Sequence, residues 1–363
     1  MNVVAKIGTS SITDERGEIS RAAIEKLTSE VAGLRSRGHR VVVVTSGAIA
    51  AGLPALGMSG ARPNDVATLQ AISAVGQSRL MAAYDAALGH HGLVAGQVLL
   101  APLDFMNRSQ YLHARDTFNR LLDLGVVPVV NENDAVADDE IRYGDNDHLA
   151  ALVAHLIYAD LLVLLTDTSG LHSSDPRLDA AASLIEEIVE FDHELERIAG
   201  GRGTVRGSGG MATKIRAAKM ASWSGIRTVI AAADRPGVLA AAVDAEPGVG
   251  TVVRPRDRRL GARKLWIAFA KPYEGVLRVD DGARQALVER GTSLLPVGVA
   301  AVTGEFDAGD AVEIADSAGR VFAKGLVRMS AKELRQAAGR RTADLPEGAR
   351  EVVHRDDLVV TGS

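Results

Sequence analysis

Strand-length runs of Val, Leu and Ile recur along the first 232 residues, separated by helix-length segments with an apolar stripe. The runs are NVVAKIG (2–8), RVVVVTSG (40–47), LVAGQVLL (93–100), VVPVVNE (126–132), DLLVLLTD (160–167) and RTVIAA (227–232). Most are apolar throughout instead of alternating, the pattern of strands covered on both faces. From the Ser20 cap to Gly38, Ile24, Leu27, Val31 and Leu34 share one helical stripe. Further helices are expected over about 66–89, 107–124, 146–158 and 211–224. This alternation predicts an α/β fold with a largely parallel central sheet sandwiched by helices.

Polar and glycine residues fall just after four of these runs: Gly8-Thr9-Ser10, Thr45-Ser46-Gly47, Asn131-Glu132-Asn133-Asp134 and Thr166-Asp167. In open α/β sheets, ligands bind beyond the carboxyl ends of the strands. Four separate strands are therefore expected to deliver polar groups to one edge.

The texture changes after Thr251. RPRDRRLGARK (254–264) has six basic residues against one acid and reads as a linker. KLWIAFA, GVLRVDDG and DAVEIADSAGRVFAKGLV then read as short strands with turns, and GARQALVERG as one helix. The expected division is residues 1–252, a basic linker over 253–264, and a small mostly-β domain over 265–363.

Composition narrows the function classes. The 363 residues contain no cysteine, which excludes disulfides and thiol chemistry and suits a reducing cytoplasmic setting. A net charge of -5 makes no general case for nucleic acid or an anionic membrane. MNVVAKIGTSS reads as a first strand and not as a signal peptide. LAALVAHLIYADLLVLL (149–165) is broken by His155 and Asp160 and reads as a buried helix feeding a strand, so no membrane partner is expected.

Several motifs are missing: GxGxxG after a strand, any Gly-Lys pair of a Walker A loop, and HExxH or Cys/His metal spacing. A different phosphate apparatus is present. Lys6 sits inside an apolar strand, where burial is costly unless an anion meets it. Gly47 and Gly52 around a Ser-Gly-Ala turn would let backbone N–H groups approach an anion at a helix N-terminus. GTVRGSGGMATKIRAAK (203–219) runs glycines into a helix whose first turn carries Thr213 and Lys214, a site suited to polyphosphate.

NENDAVADDEIRYGDNDH (131–148) holds seven carboxylates in eighteen positions. Its positive counterpart could be a metal ion, a substrate ammonium group or only water. Asp138, Asp139 and Glu140 read as a solvated loop, while Asn131, Asp134, Asn146 and Asp147 in the flanking motifs are suited to hold lysines or an amino acid. The acids do not follow EF-hand spacing.

Taken together, VAKIGTSSIT, HRVVVVTSGAIAAG, AVGQSRL, NENDAV, GDNDHLAALVA, LLTDTSGL with DPR, and GSGGMATK resemble the glutamate 5-kinases, within the amino-acid kinase fold. GTSLLPVGVAAVTGEFDAGDAVEI and VVHRDD resemble the PUA domain that many bacterial members carry. The resemblance implies ATP-dependent phosphorylation of the L-glutamate γ-carboxylate, the first step of L-proline biosynthesis, with Mg²⁺ held mainly by the nucleotide phosphates. It implies catalytic roles for Lys6, Lys214 and Asp147. It places glutamate at Ser46, Gly47, Asp134 and Asn146, with Asn131 and Asp145 nearby. It places ATP at Lys6, Gly8, Thr9, Thr166, Asp167, Ser208, Gly209, Gly210, Met211, Ala212, Thr213 and Lys214. Proline as inhibitor, a glutamyl phosphate reductase as partner and a homodimer or homotetramer are also implied. Ala5, Ser208 and His172 depart from the residues usual in the family.

Two alternatives belong beside it. One is another member of the fold acting on carbamate, aspartate, acetylglutamate or a nucleotide. The other is an RNA-binding PUA protein with a vestigial kinase domain, using RPRDRRLGARK with Arg328, Lys332, Arg335, Arg340 and Arg341. Residues 265–363 carry thirteen basic and fifteen acidic side chains, a net of -2, which weighs against an RNA surface.

Overall fold

A computed structural model describes residues 1–14, 16–58, 63–105, 107–136, 146–176, 178–179, 181–191, 195, 210–257, 259–341 and 351–361. The chain divides into two compact units, Met1–Arg259 and Leu260–Ser363.

The first unit is built on strands β1 (Asn2–Ile7), β2 (Arg40–Thr45), β3 (Ala95–Leu100), β4 (Val127–Glu132), β5 (Leu161–Thr166), β6 (Glu187–Ile188), β7 (Arg227–Ala232) and β8 (Thr251–Val253). They form one sheet in the order β3-β4-β2-β1-β5-β7-β8-β6. From β3 to β7 every pairing is parallel. β8 then runs antiparallel to β7, with β6 parallel to β8. All six apolar runs are strands. Val3, Ala5, Val41, Val43, Val129, Leu161, Val163 and Val229 lie in one buried core cluster.

The helices are α1 (Arg21–Ser36), α2 (Ala48–Ala55), α3 (Val66–Gly89), α4 (Arg108–Asp123), α5 (Asn146–Leu156), α6 (Met211–Trp223) and α7 (Val238–Val243). Ser20 Oγ accepts the Ala23 N–H at 3.3 Å and starts α1. Asp65 does the same for α3, from the Thr68 N–H at 2.8 Å. The sequence placed a helix N-terminus at the Gly47 turn but not the span of α2, whose small residues carry little amphipathic signal. It meets α3 backbone to backbone. A Cβ added to Gly76 would lie 1.7 Å from the Ala48 carbonyl oxygen, and one added to Gly52 would lie 2.1 Å from that of Ile72. Gly52, read from the sequence as part of an anion-binding turn, instead makes this crossing possible. Arg254 and Arg256, at the start of the basic stretch, pack within the first unit. Arg254 pairs with Glu187 at 2.6 Å, and the Arg256 guanidinium lies 4.2 Å from the centre of the Trp223 ring.

The second unit is a five-stranded sheet of β9 (Tyr273–Val279), β10 (Val299–Gly304), β11 (Ala311–Ala315), β12 (Val321–Val327) and β13 (Val353–Val360), ordered β10-β9-β11-β12-β13. Among the described residues the expected helix is α8 (Asp281–Arg290), and a further one, α9 (Ala331–Ala337), was not foreseen. A capping box starts α9, with Ser330 Oγ accepting the Glu333 N–H and the Glu333 carboxylate accepting the Ser330 N–H. KLWIAFA is not a strand. It winds through a helical turn (Ala262–Leu265) into a π-helical turn (Trp266–Ala270), burying Leu265 and Ile267. Seven residues are too few for their apolar spacing to separate the two periods. Among the described residues no helix is long and apolar enough to cross a membrane.

Candidate active site

Parallel register places the strand ends side by side. Ile7 pairs with Thr45 of β2 and with Leu165 of β5, so Gly8, Ser46 and Thr166 emerge together. β2 and β4 pair through Val44 and Val130, which brings Asn131 and Glu132 to the same edge. Gly8 leads into a four-residue helical turn that begins at Thr9. Gly47 has φ +101° and leads into α2; a Cβ there would be 2.8 Å from Ile12 Cδ1. That left-handed conformation, needed to turn the chain sharply after Ser46, favours glycine.

At the centre is Asp147, in the first turn of α5 and fully buried. One carboxylate oxygen, Oδ1, lies 2.6 Å from Lys6 Nζ. The other, Oδ2, accepts from Lys214 Nζ at 3.1 Å. Lys6 and Lys214 are 3% and 4% exposed, so three ionised groups meet out of water. Thr213 Oγ lies 2.8 Å from both Asp147 Oδ2 and the Gly210 carbonyl oxygen, one proton serving two acceptors. Gly210 precedes α6, and Met211, Ala212, Thr213 and Lys214 make its first turn. The N-termini of two helices thus converge here, directing their positive dipole ends to one place. Burial alone would raise the Asp147 pKa. The charges of Lys6 and Lys214, with hydrogen bonds from Lys6 and Thr213, outweigh it and hold the carboxyl below its ordinary value.

Beside this centre runs a chain of side-chain amides. Asn146 Nδ2 donates to Ser46 Oγ at 2.9 Å and to Asn131 Oδ1 at 3.1 Å. Asn131 Nδ2 donates to Gln77 Oε1 at 2.8 Å. One turn earlier on α3, the Ser73 hydroxyl donates to Asp134 Oδ2 at 2.7 Å. Asp134 itself opens a short turn after β4. Asn131, Asn146 and Gln77 are all buried.

The sequence-selected residues therefore assemble in two groups, Lys6–Asp147–Lys214–Thr213 and Ser46–Asn146–Asn131, with Asp134 held on α3. Thr166 Oγ donates to Asp167 at 3.1 Å at the end of β5. Asp145, Ser208 and Gly209, together with Asp138, Asp139 and Glu140, lie outside the described residues. Ser73 and Gln77 were given no role in the sequence reading. Their signal was polarity at helical spacing among the buried Ile72, Gly76, Leu80, Tyr84 and Leu88 of α3. Two histidines on α5 are held neutral: burial, then the charge of Arg216, pushes His148 down to about 4, and burial, then Arg259, does the same to His155.

Residues 1–232 match the amino acid kinase family, and residues 275–348 match the PUA domain. The glutamate 5-kinase of Caldanaerobacter subterraneus subsp. tengcongensis is 44% identical over 99% of this chain and 98% of its own. The glutamate 5-kinase of Frankia casuarinae is 48% identical over 99% of this chain and 96% of its own. Among solved structures, carbamate kinase from Giardia lamblia bound to AMP-PNP superposes with a TM-score of 0.50 at 20% identity, covering 70% of this chain and 98% of that one. This last likeness is one of fold.

Proposed function

This chain belongs to the glutamate 5-kinase family, and we propose that it transfers the γ-phosphoryl group of ATP to the γ-carboxylate of L-glutamate, yielding L-glutamyl 5-phosphate and ADP. The observation that carries the reading is the buried bridge of Asp147 between Lys6 and Lys214. Phosphoryl transfer to a carboxylate must align two anions that repel each other and offset charge that shifts toward the leaving group. Lys6 meets the transferring phosphoryl group. Lys214, at the start of α6, offsets charge on the departing ADP. Asp147 orients both ammonium groups. Gly8, Thr9, Thr166, Asp167 and the 208–214 segment line the nucleotide, and Ser46, Asp134 and Asn146 hold glutamate, with Asn131 and Asp145 nearby.

No general base is needed. The attacking carboxylate has a solution pKa of about 4.3 and is ionised at neutral pH. This agrees with His148, which follows Asp147 in the sequence and is held neutral at pH 7 by burial. Magnesium would enter with the nucleotide. Mg²⁺ takes one or two carboxylates plus phosphate and water oxygens, and both Asp147 oxygens already face ammonium groups. That donor set fits an ion held mainly by phosphates, which would supply charge neutralisation there.

Incubation with glutamate, ATP, Mg²⁺ and hydroxylamine tests the reaction by trapping the acyl phosphate as its hydroxamate. Glutamate-dependent hydroxamate is expected; ADP release with none trapped would reject the reading. The labile product calls for a reductase that consumes it quickly, in a cytoplasmic proline pathway, from an enzyme assembled as a dimer or tetramer. Proline inhibits by using the Asp134–Asn146 wall that reads glutamate. An Asp134→Ala variant that weakens glutamate binding but keeps full proline inhibition would refute shared recognition.

A further inference from the structure

The amide chain has a direction, and one backbone group sets it. The N–H of Glu132 donates to Asn131 Oδ1 at 2.9 Å. A backbone N–H can only donate, so the Asn131 side chain must present oxygen there and its Nδ2 on the other side. Gln77 must then offer Oε1 to Asn131 Nδ2, which turns Gln77 Nε2 away from the chain. Asn146 must likewise offer Nδ2 to the same Asn131 oxygen and to Ser46, which turns Asn146 Oδ1 away. Two buried atoms end with no hydrogen-bond partner among the described residues: the donor Gln77 Nε2 and the acceptor Asn146 Oδ1. Gln77 is 8% exposed and Asn146 is 7% exposed. Leaving such groups unmet is costly, so each marks a place where a ligand group of opposite character fits.

The two atoms differ in their distance along the chain from the phosphoryl centre. Asn146 adjoins Asp147, while Gln77 stands two hydrogen bonds further out. One turn along the same face of α3 from Gln77 is Ser73, which holds the Asp134 carboxylate. The outer end therefore pairs a buried N–H donor with a carboxylate held by a residue about 6 Å back along the helix. A donor and an anion set this way match the carboxylate and ammonium of an α-amino acid.

We propose that Gln77 is a specificity-determining residue for the acceptor, its Nε2 donating to the α-carboxylate while Asp134 takes the α-ammonium group. The proposal rests on the glutamate reading above and deepens it. Discrimination between an α-carboxylate and an uncharged α-carboxamide then resides on α3, away from the lysines that do the phosphoryl chemistry.

The test compares glutamate with isoglutamine, which keeps the γ-carboxylate but carries an α-carboxamide, in the full-length wild type, Gln77→Glu and Gln77→Met. In Gln77→Glu one oxygen of the introduced carboxylate still accepts from Asn131, but the other faces the substrate as an acceptor instead of a donor. The expected result for Gln77→Glu is a rise in KM for glutamate of tenfold or more, with KM for ATP within twofold. The kcat/KM ratio of isoglutamine to glutamate should rise at least tenfold over wild type. Gln77→Met, which removes the donor without adding charge, should raise the same ratio by a smaller factor. Equal losses on both substrates, or a ratio unchanged in both variants, would overturn the assignment and leave Gln77 a packing residue. A wild type that phosphorylates neither compound would instead reject the glutamate reading itself.

Discussion

Lys6 Nζ lies 2.6 Å from Asp147 Oδ1, with both side chains shut away from solvent. The contact joins the middle of the sheet to the first turn of α5. The second oxygen of the same carboxylate reaches Lys214 on α6, so three elements are pinned at one point.

Removing that carboxylate leaves two buried ammonium groups without the charge that holds them. Breaking a buried pair in this way costs roughly 3–5 kcal/mol. Asp147→Asn, which keeps the size of the side chain, is therefore expected to lose about that much stability in urea unfolding monitored by circular dichroism, together with most activity. A loss under about 1 kcal/mol would mean that the lysines are compensated elsewhere.

The same group sets an acid dependence. Its carboxyl is held below the ordinary value of 3.8 in the folded chain. A depressed folded-state pKa contributes stability that is present above the unfolded value and lost as pH falls through the folded one. The stability gap between wild type and Asp147→Asn should accordingly be constant near neutrality and narrow once pH drops below about 4. Unfolding curves at a series of pH values check this; a gap that widened in acid would have the wrong sign.

Lys214→Ala separates binding from turnover. The proposed placement has glutamate on the amide chain and not on α6, so glutamate affinity should stay within a few-fold of wild type. Loss of one electrostatic contact to the transition state costs on the order of 3 kcal/mol, a hundred-fold or more in kcat. Steady-state kinetics at saturating ATP decide it, and near-wild-type kcat would remove Lys214 from the reaction.

The α2–α3 crossing supplies a structural prediction with a functional readout. Gly76→Ala drives a methyl group into the Ala48 carbonyl oxygen and the Gly52 backbone nitrogen. Neither can rotate away, so the helices must separate, at a cost of about 1–3 kcal/mol for overpacking. Ser46–Gly47 and Gln77 are attached to these two helices, so KM for glutamate should rise more than KM for ATP. Thermal unfolding and the two KM values test both parts.

Much of this arrangement was legible in the chain. The six strands stood out because strands buried on both faces are apolar without interruption. Lys6 stood out because a lysine within such a strand needs an anion. Asp147 and Lys214 drew notice through their motifs, although only the fold sets one carboxylate oxygen on each lysine. Elements without a strong period were harder. Small residues and an internal Pro54 hid the extent of α2, and KLWIAFA was too short to tell a helix from a strand. Gln77 escaped for a different reason. A single polar residue on the buried face of a long helix has no local signature of function, and its role depends on Asn131, 54 positions away.

The central claim is that Lys6 and Lys214 act on one triphosphate under the control of Asp147. A crystal structure with glutamate, Mg²⁺ and a non-hydrolysable ATP analogue tests it most directly. Both Nζ atoms are expected within about 3 Å of oxygens of the same nucleotide, with Asp147 still touching each lysine. A nucleotide that engages only one of them, or binds away from Asp147 altogether, would contradict it.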